Sequence, residues 1–332
     1  MRDVAALAGV SFKTVSRVVN AEPGVSDALR ERVQVAATQL DYRHNLAASN
    51  LRRTARRTLT VGALLQDVGN SFSASLLRAL ENRLRQRGIA VLAASLDEEP
   101  GRERDLVHDL VARRVDGLVL MPASVSQEYL ASERRAGLPT VFVDRRPRGV
   151  DADSVTVDNH LGGQLAARHL IGGGHRRIAF IGDLRTINTA EQRLGGFTDS
   201  MREAGLGDPG ELMRLDVRSA QDAQSALAEM LALPDPPTAV FTGRNDLSIG
   251  AVRALRAAGL SHQVALVGFD DFPLADVLEP ALTVVRQDIT RVGDEVGRLL
   301  FSRLDGDASD AVHVVLAPSL VVRGSGEIPP PR

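Results

Sequence analysis

Lys13 and Arg17 stand four residues apart, on one face of any helix that contains both. Both side chains donate hydrogen bonds that guanine O6 and N7 accept, and one good bidentate contact is worth roughly 1–3 kcal/mol of base discrimination. Ser11, Thr14 and Ser16 add short hydroxyl groups suited to phosphate oxygens, which position a module without reading sequence. A second polar set recurs just beyond short apolar runs: Asp67, Asp144-Arg145, Asn245-Asp246, Asp270-Asp271 and Gln287, with Arg193 near the start of a helical stretch. Phe72, Phe197 and Phe269 lie close to them in sequence. Carboxylates for neighbouring hydroxyls, planar donors and an aromatic face for the apolar side of a ring are the chemistry of a sugar site. Asp246 and Asp271 read as structural, capping a helix or bracing a turn.

The elements that must position the first set are short helices. Val4–Ala8 is apolar and alanine-rich, and Gly9 suits a helix end. Ser11 is a good N-cap for a helix over Phe12–Asn20, whose buried stripe is Val15, Val18 and Val19. The turn Gly9-Val10-Ser11 makes the pair a helix-turn-helix, with Val10 plugging the space between the helices. Pro23-Gly24 breaks the chain, and Ser26 starts a third helix through Leu40, with Leu29, Val33, Ala36, Ala37 and Leu40 at helical spacing. Residues 44–58 form a basic linker around an amphipathic Leu46–Leu51.

The second set needs a different scaffold. Apolar runs at Leu59–Leu65, Ala90–Ala94, Gly117–Met121, Thr140–Val143, Ile178–Ile181, Ala239–Thr242 and Val264–Phe269 read as strands. Helical patterns separate them at Ser73–Gln86, Glu103–Arg113, His160–Ile171, Glu191–Ala204, Ala220–Leu231 and Leu247–Ala258. Such alternation predicts an α/β fold with parallel sheets, and the length of this region predicts two of them. Ligands of such folds sit beyond the carboxyl ends of the strands, where the second polar set falls. The Gly/Pro-rich tail Gly324–Arg332 is expected to fray.

Charge divides along the chain. Residues 1–57 hold ten Lys/Arg against five Asp/Glu, a net of +5 in a 332-residue chain whose total is −2, so the remainder is −7. A small basic head on an acidic body is the footprint of a polyanion-binding module. The chain has no cysteine, which excludes disulfides and thiolate metal sites. His160, His169 and His175 are scattered and predict no metal site. Gly172-Gly173-Gly174 precedes a strand, whereas a dinucleotide loop must follow one. With no nucleophile elbow, phosphate loop or acid pair at catalytic spacing, the expectation is a protein that is not an enzyme and needs no cofactor. No signal-peptide pattern or membrane-length apolar run is present, so the expected location is the cytoplasm, in association with the nucleoid and without membrane contact.

The string Asp3-Val4-Ala5, Ala8-Gly9-Val10-Ser11 and Thr14-Val15-Ser16-Arg17-Val18-Val19-Asn20 resembles the headpiece of the LacI/GalR family of transcription regulators. The likeness continues through Val25-Ser26, Leu40-Asp41-Tyr42 and Asn45 and ends near Val321-Val322-Arg323-Gly324-Ser325. It implies a helix-turn-helix headpiece over 1–43, a hinge helix and linker over 44–58, and a two-lobed periplasmic-binding-protein-like body over 59–332. Lobe 1 would take about 59–158 and 288–310, and lobe 2 about 159–287 and 311–325. The resemblance places Phe12, Lys13 and Arg17 at base-reading positions, with Ser11, Thr14, Ser16, Asn20, Asn45 and Ala48 also at the DNA. Leu51 matches the leucine that wedges into the minor groove, where an apolar insertion unstacks a base step. Arg193, Asn245, Asp270 and Gln287 match ligand-contacting positions, with Asp144, Asp67, Phe72 and Phe197 beside them.

The implied protein is a repressor that binds a pseudo-palindromic double-stranded operator as a homodimer and answers to a small-molecule effector, a sugar first. A purine, a sugar phosphate or no effector remain open alternatives, as does a sugar-binding protein without a DNA role. Two departures stand out. Met1-Arg2 begins almost inside the first helix, where relatives carry several more residues, so a start upstream is expected. Asn70-Ser71-Phe72-Ser73 replaces the common Asn-Pro-Phe-Phe, one aromatic fewer.

Overall fold

The computed structural model describes residues 1–19, 22–42, 58–207 and 209–331. The chain divides into two compact units, Met1–Leu59 and Thr60–Arg332.

The first unit carries α1 (Arg2–Ala8), α2 (Phe12–Val19) and α3 (Asp27–Gln39). Gly9 ends α1 in the left-handed conformation at φ 59°, which a side chain would strain. Arg32 of α3 donates from Nη2 to the Ala8 carbonyl at 2.6 Å, satisfying an acceptor that the end of α1 leaves open. Ser11 caps α2 by accepting from the Thr14 amide at 3.1 Å. Val4, Ala5, Ala8, Val15, Val18, Val33 and Ala36 form one small core, with Val10 and Val19 packed on it. Leu40, expected on the buried stripe of α3, is exposed because the helix ends at Gln39 and the chain turns away.

The second unit holds two sheets. Its elements, in chain order, are β1 (Thr60–Leu65), α4 (Ser71–Arg85), β2 (Ala90–Ser95), α5 (Pro100–Ala112), β3 (Gly117–Leu120), α6 (Ala131–Arg135), β4 (Thr140–Val143) and β5 (Ser154–Val157). There follow α7 (Asn159–Gly172), β6 (Ile178–Ile181), α8 (Asn188–Glu203), β7 (Met213–Arg214), α9 (Ala220–Leu231), β8 (Ala239–Thr242), α10 (Asn245–Ala257), β9 (Ala265–Phe269) and β10 (Thr283–Arg286). The unit closes with α11 (Ile289–Leu304), β11 (His313–Leu316) and β12 (Ser319–Val321). The first sheet runs β11-β5-β4-β3-β1-β2 and the second β12-β10-β9-β8-β6-β7. The pairings are parallel except β10 with β12, which is antiparallel. Helices flank each sheet, so the central strands are buried and read as continuous apolar runs, while the edge strands are partly exposed.

The chain crosses between the sheets after β5, after β10 and after β11. Two crossings are built alike. Asp158 caps α7 by accepting from the Leu161 amide at 2.8 Å, and Asp288 caps α11 by accepting from the Arg291 amide at 3.0 Å. The third differs from expectation. Residues 313–316 pair with Ser154–Val157 in the first sheet, so the last crossing falls after Leu316 rather than near 310. The exposed, partly polar alternation of His313–Leu316 is that of an edge strand, which gives a weak sequence signal.

The tail is anchored, not frayed. The Ser325 hydroxyl donates to the Leu266 carbonyl at 2.6 Å and accepts from the Thr283 amide at 2.9 Å. His175, fully buried, bonds Thr238 at 2.9 Å and the Ile328 carbonyl at 2.8 Å. His169 pairs with Glu327, and His160 with Asp199. All three histidines are therefore held by protein partners. Burial lowers the His175 pKa, the Ile328 carbonyl opposes that by favouring the charged ring, and nearby His169 adds to the lowering.

Candidate functional site

Arg193 lies in the second turn of α8 and is buried. Its Nε donates to Asn159 Oδ1 at 2.8 Å and its Nη1 to the Gly243 carbonyl at 2.7 Å. The guanidinium stacks on Phe269, 3.7 Å from the ring centroid, and Nη1 sits 3.9 Å from Asp270 Oδ2. Asp270 in turn accepts from Gln287 Nε2 at 2.7 Å. Asp144 enters this group from the first lobe, close enough for Arg193 to act on its charge.

Asp144 and Asp270 occupy matching places. Each directly follows a central strand, β4 or β9, and each has φ 66°. Each donates its amide to the neighbouring strand, to Val155 at 3.0 Å and to Val285 at 2.9 Å. Left-handed backbone is uncommon outside glycine and costs energy, and here it lets each carboxylate leave the end of its strand in the same way. Burial raises the pKa of both. Arg145 and then Arg193 pull Asp144 back down, while Glu98 pushes it up. Arg193 and then Gln287 pull Asp270 down, while the Asp144 charge pushes it up.

Two further cations near the group, Arg145 and Arg244, are already committed. Arg145 makes a bidentate pair with Glu98 at 2.7 and 2.5 Å and reaches the Pro122 carbonyl. Arg244 pairs with Asp183 at 3.0 Å and donates to the Arg218 carbonyl. The lobes also touch directly. Asn70 caps α4 through the Phe72 amide and exchanges amide hydrogen bonds with Asn245 at 2.9 and 3.1 Å. Asn245 also donates to Ser71 at 2.8 Å, and Asn70 to Asp246 at 3.1 Å. Asp246 thus braces the lobe contact, and Asp271 makes a bidentate pair with Arg323, so both act structurally as expected from sequence.

Two cavities open at this junction. One, about 420 Å³, is lined by Phe72, Asp270, Arg286, Gln287 and Thr290 among others. The other, about 250 Å³, is lined by Asp67, Asn70, Glu98, Asp183, Arg244 and Asp246 among others. A groove of about 520 Å³ between α10 and the 277–282 segment is mostly apolar and contains none of the carboxylate group.

The structure therefore brings Asp144, Arg193, Asp270 and Gln287 together, sets Phe72 and Asp67 at the cavities, and engages Asn245 across the lobes. Phe197 is corrected: it is fully buried and stacked on Phe180 at 5.1 Å in the second-lobe core. Phe197 shares a helix face with Arg193 but lies one turn further along, inside the second-lobe core, and Phe269 supplies the aromatic face instead. In the first unit, Phe12 and Lys13 are exposed at the start of α2, and Ser11 and Thr14 hydroxyls bond each other at 2.9 Å. Arg17 is half-exposed and Ser16 half-buried. Asn20, Asn45, Ala48 and Leu51 lie outside the described residues.

Comparison with known proteins decides the family. Residues 1–45 match the model for bacterial regulatory proteins of the lacI family, and residues 167–326 match the periplasmic binding protein-like domain. The ribose operon repressor of Escherichia coli (strain K12) is 32% identical over 98% of this chain and 99% of its own. The solved CelR–cellobiose complex matches at 33% identity and a TM-score of 0.72, covering 98% of this chain and 99% of the other. The Lac repressor dimer bound to operator and the anti-inducer ONPF matches at 27% identity and a TM-score of 0.83, covering 98% of each chain. This chain belongs to the LacI family. It is a DNA-binding transcription regulator with a body built to take a small molecule.

For a LacI-family body, the residues that the sequence did not reveal are mostly second partners. Asn159 holds Arg193, Glu98 holds Arg145, and Asp183 and Arg244 hold each other beside them, and no periodicity links these residues. Asn70 alone left a signal, as a good N-cap before a helical pattern. Equally hidden is why Arg193 reaches the junction. A Cβ on Gly196 would lie 1.9 Å from the His160 carbonyl oxygen, and one on Gly163 2.2 Å from the Arg193 carbonyl oxygen. Only glycine lets α7 and α8 pack this closely. Gly196→Ala is expected to cost about 2–3 kcal/mol by overpacking against backbone. Thermal melts should show the loss, and ligand binding should weaken as Arg193 is displaced.

Proposed function

We propose that this LacI-family regulator is a repressor that binds a pseudo-palindromic operator as a homodimer and is released or modulated by a sugar. The observation that carries the effector reading is the convergence of Asp144, Arg193, Asp270 and Gln287 from two lobes, with Phe269 beneath the guanidinium. Buried carboxylates accept from vicinal hydroxyls, and Arg193 donates to a ring or hydroxyl oxygen. Two relatives named for sugars, a ribose operon repressor and a CelR–cellobiose complex, support a sugar. The operator-bound Lac repressor dimer supports pairing of two chains on DNA.

In this reading, Lys13 and Arg17 contact base edges, Phe12 the groove wall, and Ser11, Thr14 and Ser16 the phosphates. Asn20, Asn45, Ala48 and Leu51 complete the DNA contact, with 44–58 as the hinge. The effector changes the balance between lobe arrangements, and the Asn70–Asn245 amide pair is one contact it must keep or replace. Release requires the effector to bind the DNA-free arrangement more tightly than the DNA-bound one. The protein works in the cytoplasm, at the nucleoid.

The test is a thermal-shift screen of the full chain against monosaccharides, disaccharides, sugar phosphates and purines. A ligand of the folded state alone raises the melting temperature by mass action. A sugar hit that also releases DNA supports the proposal. A hit confined to purines or phosphates overturns the sugar, and no hit in any class argues against an effector.

A further inference from the structure

Arg17 is already engaged within the head. Its Nη2 donates to the Pro23 carbonyl at 2.6 Å, and its Nε lies 3.6 Å from Glu22 Oε2. The turn that supplies both partners is tied back to α2, because the Glu22 amide donates to the Arg17 carbonyl at 2.9 Å. Gly24 closes the turn at φ 84°, and a Cβ there would come within 3.0 Å of Arg17 Nη2. The guanidinium is thus clasped by a carboxylate and a carbonyl of the segment just after its own helix.

Bidentate guanine recognition needs two N–H groups of one guanidinium. Here Nε and Nη2 both face the turn. A base that takes this Nε–Nη2 edge must displace Glu22, and the displaced carboxylate is left near a polyanion. Lys13, on the same helix, is exposed and pays no such exchange.

We propose that Glu22 is a positioning residue that holds Arg17 off the base and sets operator affinity below what the reading helix alone would give. The proposal rests on Arg17 as a base-contacting residue. It says nothing of the effector and acts within the head.

The experiment uses the full-length protein and a duplex selected by it from a randomised pool, with binding followed by fluorescence anisotropy. Glu22→Gln removes the charge and keeps the shape. An exposed ion pair of this kind is weak, so the expected gain in affinity is about threefold to fivefold. Asp27→Asn removes an acid at the start of α3 and serves as the control for general charge repulsion. It should change affinity by less than about twofold, since distant surface charges are screened. In an Arg17→Ala background, measured at low salt, Glu22→Gln should give no gain, because the coupled partner is gone. The melting temperatures of all variants identify any that fail to fold.

A gain seen with Glu22→Gln but not with Asp27→Asn, and lost in the Arg17→Ala background, establishes the clasp. Equal gains from both acids, an undiminished gain without Arg17, or no gain at all would each overturn it. If Arg17→Ala itself leaves affinity unchanged, the failure lies with the reading helix and not with Glu22.

Discussion

Replacing Arg17 with alanine is expected to erase most of the difference in affinity between the operator and scrambled DNA while leaving effector binding intact. Loss of one bidentate base contact costs roughly 1–3 kcal/mol of discrimination, about fivefold to 150-fold per head. Two heads in a dimer compound the loss. The effector group lies in the other compact unit, so its binding should not move. Footprints on the operator before and after substitution, with a parallel thermal shift for the effector, would check both halves. An unchanged footprint would remove Arg17 from the reading helix. Arg17→Ala also leaves the fold of the head intact, because the side chain is half-exposed and the core beneath α2 is made by Val15 and Val18.

Asp270→Asn should do the reverse and yield a protein that holds its operator but ignores its ligand. The carboxylate sits where Arg193, Gln287 and the 420 Å³ cavity meet. Losing one or two charge-assisted hydrogen bonds from ligand hydroxyls costs roughly 1.5–3 kcal/mol each, so affinity should fall at least tenfold. The sign of the stability change is opposite. Burial raises the Asp270 pKa above the unfolded value near 3.9. A raised carboxyl contributes stability below the unfolded pKa and loses it as pH rises through the folded value. Above that folded value the native protein carries a buried charge that asparagine lacks. Above that value the variant should melt no lower than the parent, with the difference shrinking as pH falls through it towards the unfolded value near 3.9. Ligand affinity of the parent should rise with pH across the same window, as the carboxylates become acceptors. Calorimetric titrations and melts across pH would measure both. An Asp270→Asn protein that still releases DNA on effector addition would move the site elsewhere.

Much of this molecule is set by short-range pattern. The valine stripe at 15, 18 and 19, the cap at Ser11 and the glycine at 9 specify the helix-turn-helix, because each acts within one or two turns of chain. Central strands such as Thr140–Val143 and Ala239–Thr242 announce themselves as apolar runs because both faces are covered. Two short edge strands, His313–Leu316 and Ser319–Val321, do not: runs of three or four residues on either side of Ala317-Pro318 are too short to tell strand from loop.

The positions of Asp144, Arg193, Asp270 and Gln287 beyond strands and at a helix start follow from sequence, since parallel strands display their carboxyl ends on one side. Which of the neighbouring side chains turn towards that side does not follow. Phe197, four residues from Arg193, is core, whereas Phe269 carries the guanidinium. Direction here is fixed by the close approach of α7 and α8 through Gly163 and Gly196, a contact between distant segments. The same holds for the Asn70–Asn245 bridge, the Arg145–Glu98 pair and the anchored tail at Ser325, whose partners are far away in sequence. The sequence by itself determined the family, the two units and the residues able to bind. The tertiary structure decided which of them meet and which are already paired, because hydrogen bonds and packing between remote segments depend on the three-dimensional register of helices and sheets, and no local period encodes it.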